Sequence, residues 1–198
     1  MPAQLLKSLA LFGREVVQNP GPMGAAFPSS PALARKMASL AHDVDGFSGY
    51  VVELGAGTGA ITAAILDAKV PEERLIALER SPTLAKALQK RFPKLRVLTG
   101  DACDLNRLLR VHFGGTIPKI SAVLSSLPLR SIPCRKVARL ILEVRRLLAD
   151  GGVLVQYTYA VHRRTRFPVC FERTGASVVW MNLPPARVER FTVRTARA

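Results

Sequence analysis

The decapeptide Val51-Val52-Glu53-Leu54-Gly55-Ala56-Gly57-Thr58-Gly59-Ala60 restricts this chain to very few folds. An apolar run enters a turn with glycine at alternate positions, and Ile61-Thr62-Ala63-Ala64-Ile65-Leu66 continues with helical character. The pattern is a buried strand, a tight turn and a helix. Gly55 and Gly57 can take backbone angles closed to other residues and let a ligand lie against the main chain. Gly59 or Ala60 lets the helix sit close to the strand. Free N–H groups open that helix, so a nucleotide-like ligand is expected at the turn.

Gly55-x-Gly57-x-x-Ala60 also satisfies the dinucleotide fingerprint, so the glycines alone do not choose the ligand. Three acids narrow the choice. Glu53 precedes the glycines on the strand, where a carboxylate suits a cationic amino group and would repel a pyrophosphate. The next strand, Arg74-Leu75-Ile76-Ala77-Leu78-Glu79, ends in an acid suited to a ribose diol. Asp101 follows a third strand, Leu95-Arg96-Val97-Leu98, within Gly100-Asp101-Ala102. Acids at the ends of three successive strands suit a cofactor that carries an amino acid, a ribose and an adenine.

Together, Glu53-x-Gly55-x-Gly57-x-Gly59, Glu79 and Gly100-Asp101 resemble the class I S-adenosylmethionine-dependent methyltransferases over most of the chain. The resemblance implies an α/β, Rossmann-like fold: a doubly wound, mostly parallel seven-stranded sheet with a C-terminal antiparallel hairpin and N-terminal helices. It implies S-adenosylmethionine as cofactor, with S-adenosylhomocysteine as its product. By the same resemblance Glu53 orients the methionine amino group, Glu79 holds the ribose hydroxyls, and Asp101 with the Ala102 backbone reads the adenine edge. The alternative is a nucleotide-free α/β domain whose glycines merely make a turn.

The 198 residues suit one domain with a sizeable core, and a 48% hydrophobic content agrees. No run of 18 or more apolar residues occurs, and the start lacks a basic-then-apolar signal pattern, so neither a spanning nor a secreted protein is expected. Cys103, Cys134 and Cys170 form no close pair, which fits a reduced cytoplasmic compartment. His42, His112 and His162 show no ligand spacing to them, so no metal is expected. Charge is the strongest compositional feature, at +15 with 29 basic against 14 acidic side chains. Residues 130–198 alone hold 14 arginines and lysines against 4 acids. Such a field favours a polyanionic surface, either nucleic acid or an anionic membrane.

Along the chain, residues 3–17 place Leu5, Leu6, Leu9, Phe12 and Val16 on one helical stripe, before Asn19-Pro20-Gly21-Pro22 ends the helix. Residues 1–20 therefore read as an amphipathic helix that either lies in a membrane interface or packs on the domain formed by 21–198. The turn-rich stretch 23–31 follows, with Ser30 as N-cap and Pro31 at the first position of a helix to Leu40. Beyond the glycine turn, helices over 82–91 (capped by Ser81), 105–111 and 135–148 alternate with strands at 120–124 and 153–158. That alternation predicts a parallel, doubly wound sheet. Two strand-like runs, 176–182 and 188–194, are joined by Leu183-Pro184-Pro185, too short for a crossover helix, and so predict an antiparallel edge hairpin.

The fourth strand ends in Leu124-Ser125-Ser126-Leu127-Pro128-Leu129-Arg130, at the edge where substrates enter such sheets. Methyltransferases that act on base amines carry an aromatic residue where Leu129 stands. With Pro28-Ser29-Ser30, the amphipathic start and the small size, Ser125-Ser126-Leu127-Pro128-Leu129 is similar to the bacterial soluble-type phosphatidylethanolamine N-methyltransferases. That resemblance implies stepwise methylation of phosphatidylethanolamine to phosphatidylcholine by a peripheral protein on the inner face of the cell membrane, and it adds Ser30 and Ser125 to the cofactor side. Tyr157 and Tyr159, at the end of the fifth strand, suit hydrogen bonds to the amine and ring contact with methylated cations. His162 is the alternative proton acceptor. Arg130, His162, Arg163 and Arg164 suit the lipid phosphate. Anionic lipids are thus the expected partners, with no nucleic acid and no obligate protein partner. Nucleic-acid amine methylation, as by the ribosomal RNA adenine dimethylases, is the rival, and a non-catalytic lipid- or nucleic-acid-binding module is a further alternative.

Overall fold

The computed structural model describes residues 29–41, 49–162, 165 and 170–194. Helix α1 (Pro31–Ala41) comes first, followed by β1 (Tyr50–Leu54), α2 (Ala60–Asp67), β2 (Leu75–Glu79), α3 (Pro82–Arg91) and β3 (Arg96–Thr99). The chain continues through α4 (Leu105–His112), β4 (Ile120–Ser125), α5 (Cys134–Leu147), β5 (Leu148–Thr158), β6 (Phe171–Val179) and β7 (Ala186–Val193). The sheet order is β3-β2-β1-β4-β5-β7-β6. β1 to β5 pair in parallel, and β7 then runs antiparallel to both β5 and β6. This is the expected class I methyltransferase architecture.

Both faces of the sheet are covered, which is why β2 and β4 are buried along their whole length and read as nearly unbroken apolar runs. Leu33 and Met37 of α1, Ile61 and Ile65 of α2 and Leu88 of α3 pack with Val51, Ala77, Leu124 and Val155 on one face. Leu105 and Leu109 of α4 and Leu140, Ile141 and Val144 of α5 pack with Val52, Leu54, Val123 and Leu154 on the other. Each core leucine contributes about 2 kcal/mol by leaving water. The helix starts follow the capping rules: Ser81 Oγ accepts from Leu84 N at 3.3 Å, with Pro82 behind it.

Three details depart from the sequence reading. The first edge strand was expected at 176–182 but spans Phe171–Val179, and Trp180 to Pro185 form the turn. Asn182 explains this, because its amide donates to Pro184 O (2.6 Å) and its Oδ1 accepts from Ser30 N (3.0 Å), so the chain reverses around it. β5 begins at Leu148 rather than 153, carried through Gly151 at φ +79°. Gly59 makes room for a helix rather than for the strand, since a Cβ there would lie 2.7 Å from Leu88 Cδ1 of α3.

Candidate active site at the strand ends

Every strand of the parallel part delivers something polar to its carboxyl end, and the glycine turn lies in the middle. Gly55 N and Ala56 N donate to Leu78 O at 2.8 and 3.3 Å, and Gly57 N donates to Glu79 Oε2 at 2.8 Å. Three successive amides thereby clamp the turn to the end of β2. Gly55, Gly57 and Gly59 all have positive φ, at 74°, 55° and 80°. A Cβ at Gly57 would meet nothing nearer than Gly55 O at 4.0 Å, so open space faces the main chain there. Gly59 is the N-cap of α2 and offers no side-chain acceptor, leaving the first amides of that helix for a ligand.

Glu53 sits on the helix-α1 and α2 face of β1 with no exposed surface. Its Oε2 accepts the Thr62 hydroxyl of α2 at 2.6 Å, while its Oε1 is buried with no hydrogen-bond partner among the described residues. Burial pushes its carboxyl from 4.5 up to about 8, with Glu79 adding to the rise and Thr62 opposing it. A buried, half-satisfied carboxyl of this kind is built to meet a cation.

Glu79 Oε1 accepts from Ser81 N at 2.9 Å, and together with the Gly57 bond this orients the carboxylate over the turn. A carboxylate has about four acceptor sites, which leaves room for a diol. Asp101 caps the short turn Ala102–Asp104 by accepting from Cys103 N at 2.9 Å, and that bond holds its carboxyl below the usual range despite partial burial. Lys136 and Arg80 act in the same direction from nearby. The cofactor set predicted from sequence is therefore assembled at one edge, and the orphaned Glu53 oxygen and the open Gly57 cradle fit a nucleoside bearing an ammonium group.

The substrate side is joined to this turn through β4 and β5. Leu127 lies over Gly55, where a Cβ would stand 3.0 Å from Leu127 Cδ2. Gln156 holds Leu127 in place by donating to its carbonyl at 3.0 Å, and also donates to Tyr157 O at 2.6 Å. Ser125 is buried and its Oγ faces Leu127 N at 3.4 Å. Ser126 Oγ, Gln156 Oε1 and the Tyr159 hydroxyl are buried without partners among the described residues. Tyr157 and Tyr159 pack edge to face with centroids 5.5 Å apart. Burial pushes the Tyr157 phenol well above its ordinary 10, Tyr159 adds to this, and Ser29 opposes it.

Ser30 caps α1, its Oγ accepting from Leu33 N at 3.2 Å, which is the plain structural role. Arg130 and His162 are exposed, the former in the turn Leu129–Ser131 after β4 and the latter beyond β5. Arg163, Arg164 and the helix expected over 3–17 lie outside the described residues. Sequence reasoning missed four residues. Thr62 supports Glu53, Gln156 couples the two halves, and Asn182 ties the hairpin to Ser30. Glu189, with no exposed surface, pairs with Arg173 and Arg187 at 3.3 and 3.5 Å and accepts from Thr165 N at 3.0 Å. A lone polar residue inside an apolar helix or strand was the available signal in each of the first two cases.

Comparison with known proteins agrees with this geometry. Residues 52–154 match the family model described as a methyltransferase domain. An ornithine lipid N-methyltransferase from Singulisphaera acidiphila is 33% identical over 91% of this chain and 94% of its own length. A ribosomal RNA small subunit methyltransferase A from Anaplasma marginale is 31% identical, but over only 42% of this chain and 31% of its own length. Among solved structures, the N-methyltransferase NodS from Bradyrhizobium japonicum, in complex with S-adenosyl-L-homocysteine, superimposes with TM-score 0.61 at 13% identity, covering 95% of this chain and 99% of that one. The 1,6-didemethyltoxoflavin-N1-methyltransferase of Burkholderia thailandensis gives 0.64 at 15% identity, over 98% and 89%. At these identities the two structures speak to the fold. Among the described residues no group of three or more His, Cys, Asp or Glu could hold a metal ion, and no helix is long and apolar enough to cross a membrane.

Proposed function

This chain belongs to the methyltransferase-domain family, and on that premise we propose that it is an S-adenosylmethionine-dependent lipid N-methyltransferase working at a membrane surface. The substrate is the amine of phosphatidylethanolamine and its partly methylated products, on the way to phosphatidylcholine. One observation carries the lipid assignment: the relative named for ornithine lipid aligns almost end to end, at 91% and 94% of the two chains.

The bound cofactor supplies an electrophilic methyl on a positively charged sulfur. Glu53 would face the cofactor's ammonium, Glu79 would take the ribose hydroxyls, and Asp101 with the Ala102 backbone would take the adenine edge. A neutral lipid amine is the group that would accept that methyl, and the side chains at the strand ends would hold it in line with the donor. Alignment of the reacting atoms supplies much of the barrier reduction. Tyr157 and Tyr159 hold the amine and turn ring faces toward the cation as methyl groups accumulate. With its phenol pushed upward by burial, Tyr157 keeps its proton at neutral pH and serves as a donor and a wall. The ammonium of the incoming lipid loses its proton to water or to exposed His162. Exposed Arg130, in the turn after β4, supports this reading as a partner for the lipid phosphate, and His162, Arg163 and Arg164 are proposed for the same role.

Nucleic-acid amine methylation is the second reading, favoured by the +15 charge and the partial match to ribosomal RNA enzymes. Leu129, standing where a base-stacking aromatic would be needed, disfavours it. The deciding experiment supplies methyl-labelled S-adenosylmethionine with vesicles of phosphatidylethanolamine, with ornithine lipid and, separately, with RNA. Label in the aminolipid is expected. Label in RNA alone would overturn the proposal, and label in ornithine lipid alone would replace phosphatidylethanolamine as the substrate.

A further inference from the structure

The β6–β7 turn inverts the usual polarity of a loop. Trp180, Met181 and Leu183 are 69%, 84% and 83% exposed, whereas Asn182 among them is only 3% exposed. Bulky apolar side chains point out and the amide points in. Loops normally do the opposite, because apolar exposure is unfavourable and polar groups are well solvated. The other exposed large hydrophobics among the described residues, Val111 and Leu142, sit singly on α4 and α5.

The tip is also fixed rather than loosely displayed. Asn182 bonds to Ser30 N and Pro184 O, so the buried amide anchors the turn to the cap of α1 while its neighbours are thrust outward. Pro184 and Pro185 stiffen the return. Because Thr158 at the end of β5 pairs with Arg187 near the start of β7, the turn projects from the same edge as the glycine turn and the tyrosine pair. Exposed Arg80, Arg130, Arg135 and Lys136 stand at that edge too, after β2 and β4 and at the start of α5. An apolar prong beside basic side chains complements an anionic bilayer, in which apolar groups enter the acyl boundary and cations stay with the headgroups. Tryptophan is the residue best suited to that boundary.

We propose that Trp180, Met181 and Leu183 insert into the surface of an anionic membrane and dock the open edge of the sheet against its lipid substrate. The inference rests on the proposed lipid activity for its purpose, but not for its test. Trp180 is the chain's one tryptophan, so its emission reports this turn alone. On vesicles of phosphatidylethanolamine and phosphatidylglycerol, the full chain should show a blue shift and quenching by brominated acyl chains. The Trp180→Ser/Met181→Ser/Leu183→Ser variant should sediment with those vesicles about tenfold or more weakly, from the apolar area lost. Its affinity for S-adenosylhomocysteine should be unchanged, which shows that it folds.

Wild-type protein that pellets with vesicles while Trp180 emission stays unshifted and unquenched would overturn the insertion. So would a blue shift that depends on protein concentration without lipid, which would mean a second copy covers the turn. Lipid methylation in detergent micelles, without any emission change on vesicles, would remove the insertion and leave the proposed function standing. An emission change with no aminolipid methylated in vesicles or micelles would do the reverse, and the absence of both would remove both.

Discussion

Glu53 should cost the empty protein stability and return it on binding, and Glu53→Gln separates the two effects. In the folded chain its carboxyl is pushed from 4.5 up to about 8. Between those values the folded form keeps a proton that the unfolded form has released. Stability therefore falls as pH rises across that window, and the charged form is disfavoured by about 4–5 kcal/mol in full. Between about pH 6 and about pH 8 the loss assigned to this one group is about 2 kcal/mol. Glutamine keeps the acceptor for the Thr62 hydroxyl and removes the titration. Its amide adds a fixed, pH-independent cost of about 1 kcal/mol if nothing accepts from it. The signature is accordingly the slope: urea midpoints of wild type should drop from pH 6 to pH 8 by about 2 kcal/mol more than those of the variant. Binding should move oppositely. Loss of a charge-assisted bond to an ammonium weakens S-adenosylhomocysteine by about 10- to 100-fold. Wild type should also release a proton on binding near neutral pH, measurable by calorimetry in buffers of different ionisation enthalpy, and Glu53→Gln should not. Parallel urea slopes, or equal affinity in the two proteins, would refute the reasoning.

Three further outcomes are expected. Glu189→Ala strips two arginines and the Thr165 amide of a buried partner, and should lower unfolding stability by about 3 kcal/mol, read as a fall in urea midpoint at unchanged slope. Tyr157→Phe should lower the lipid methylation rate by about tenfold or less and leave the shape of its pH profile unchanged, because a phenol pushed upward by burial does not titrate in the working range; a lost alkaline limb would contradict this. Deleting residues 2–17, whose sequence carries the apolar stripe Leu5, Leu6, Leu9, Phe12 and Val16, should weaken vesicle sedimentation more than S-adenosylhomocysteine binding if that stripe lies in a membrane interface, and equal sedimentation would leave only packing on the domain.

The parts of the fold legible in the sequence were those in which one residue type has one physical use. Glycines at positive φ marked the turn, apolar strands covered on both faces marked the parallel sheet, and Ser81-Pro82 marked the start of α3 to the residue. Acids at strand ends marked the edge proposed for the cofactor, and the structure shows two of them, Glu79 and Asp101, also accepting from local backbone amides. The sequence could not reveal which distant partner a polar residue meets. Thr62, Gln156 and Asn182 are ordinary in composition and acquire their roles only through bonds that close across the fold, the last of them spanning 152 positions to Ser30. Asn182 also misplaced the hairpin. Trp180 has strong strand preference, and a tertiary hydrogen bond overrode it.

Two violations of ordinary burial rules lie at one edge of the molecule, and they have complementary explanations. Inside, Glu53, Ser126, Gln156 and Tyr159 carry buried polar atoms with no partner among the described residues, which is unfavourable unless a polar ligand completes them. Outside, Trp180, Met181 and Leu183 present apolar surface to water, which is unfavourable unless an apolar phase covers it. A soluble polar cofactor answers the first and cannot answer the second. A bilayer answers the second and is excluded from the first. The lipid N-methyltransferase proposed above, which brings a water-borne methyl donor to an amine fixed at a membrane, needs both kinds of unfinished surface on the same side; Leu127 over Gly55 and Gln156 between Leu127 and Tyr157 join the glycine turn to the tyrosine pair, and Asn182 on Ser30 N ties the apolar turn to the cap of α1.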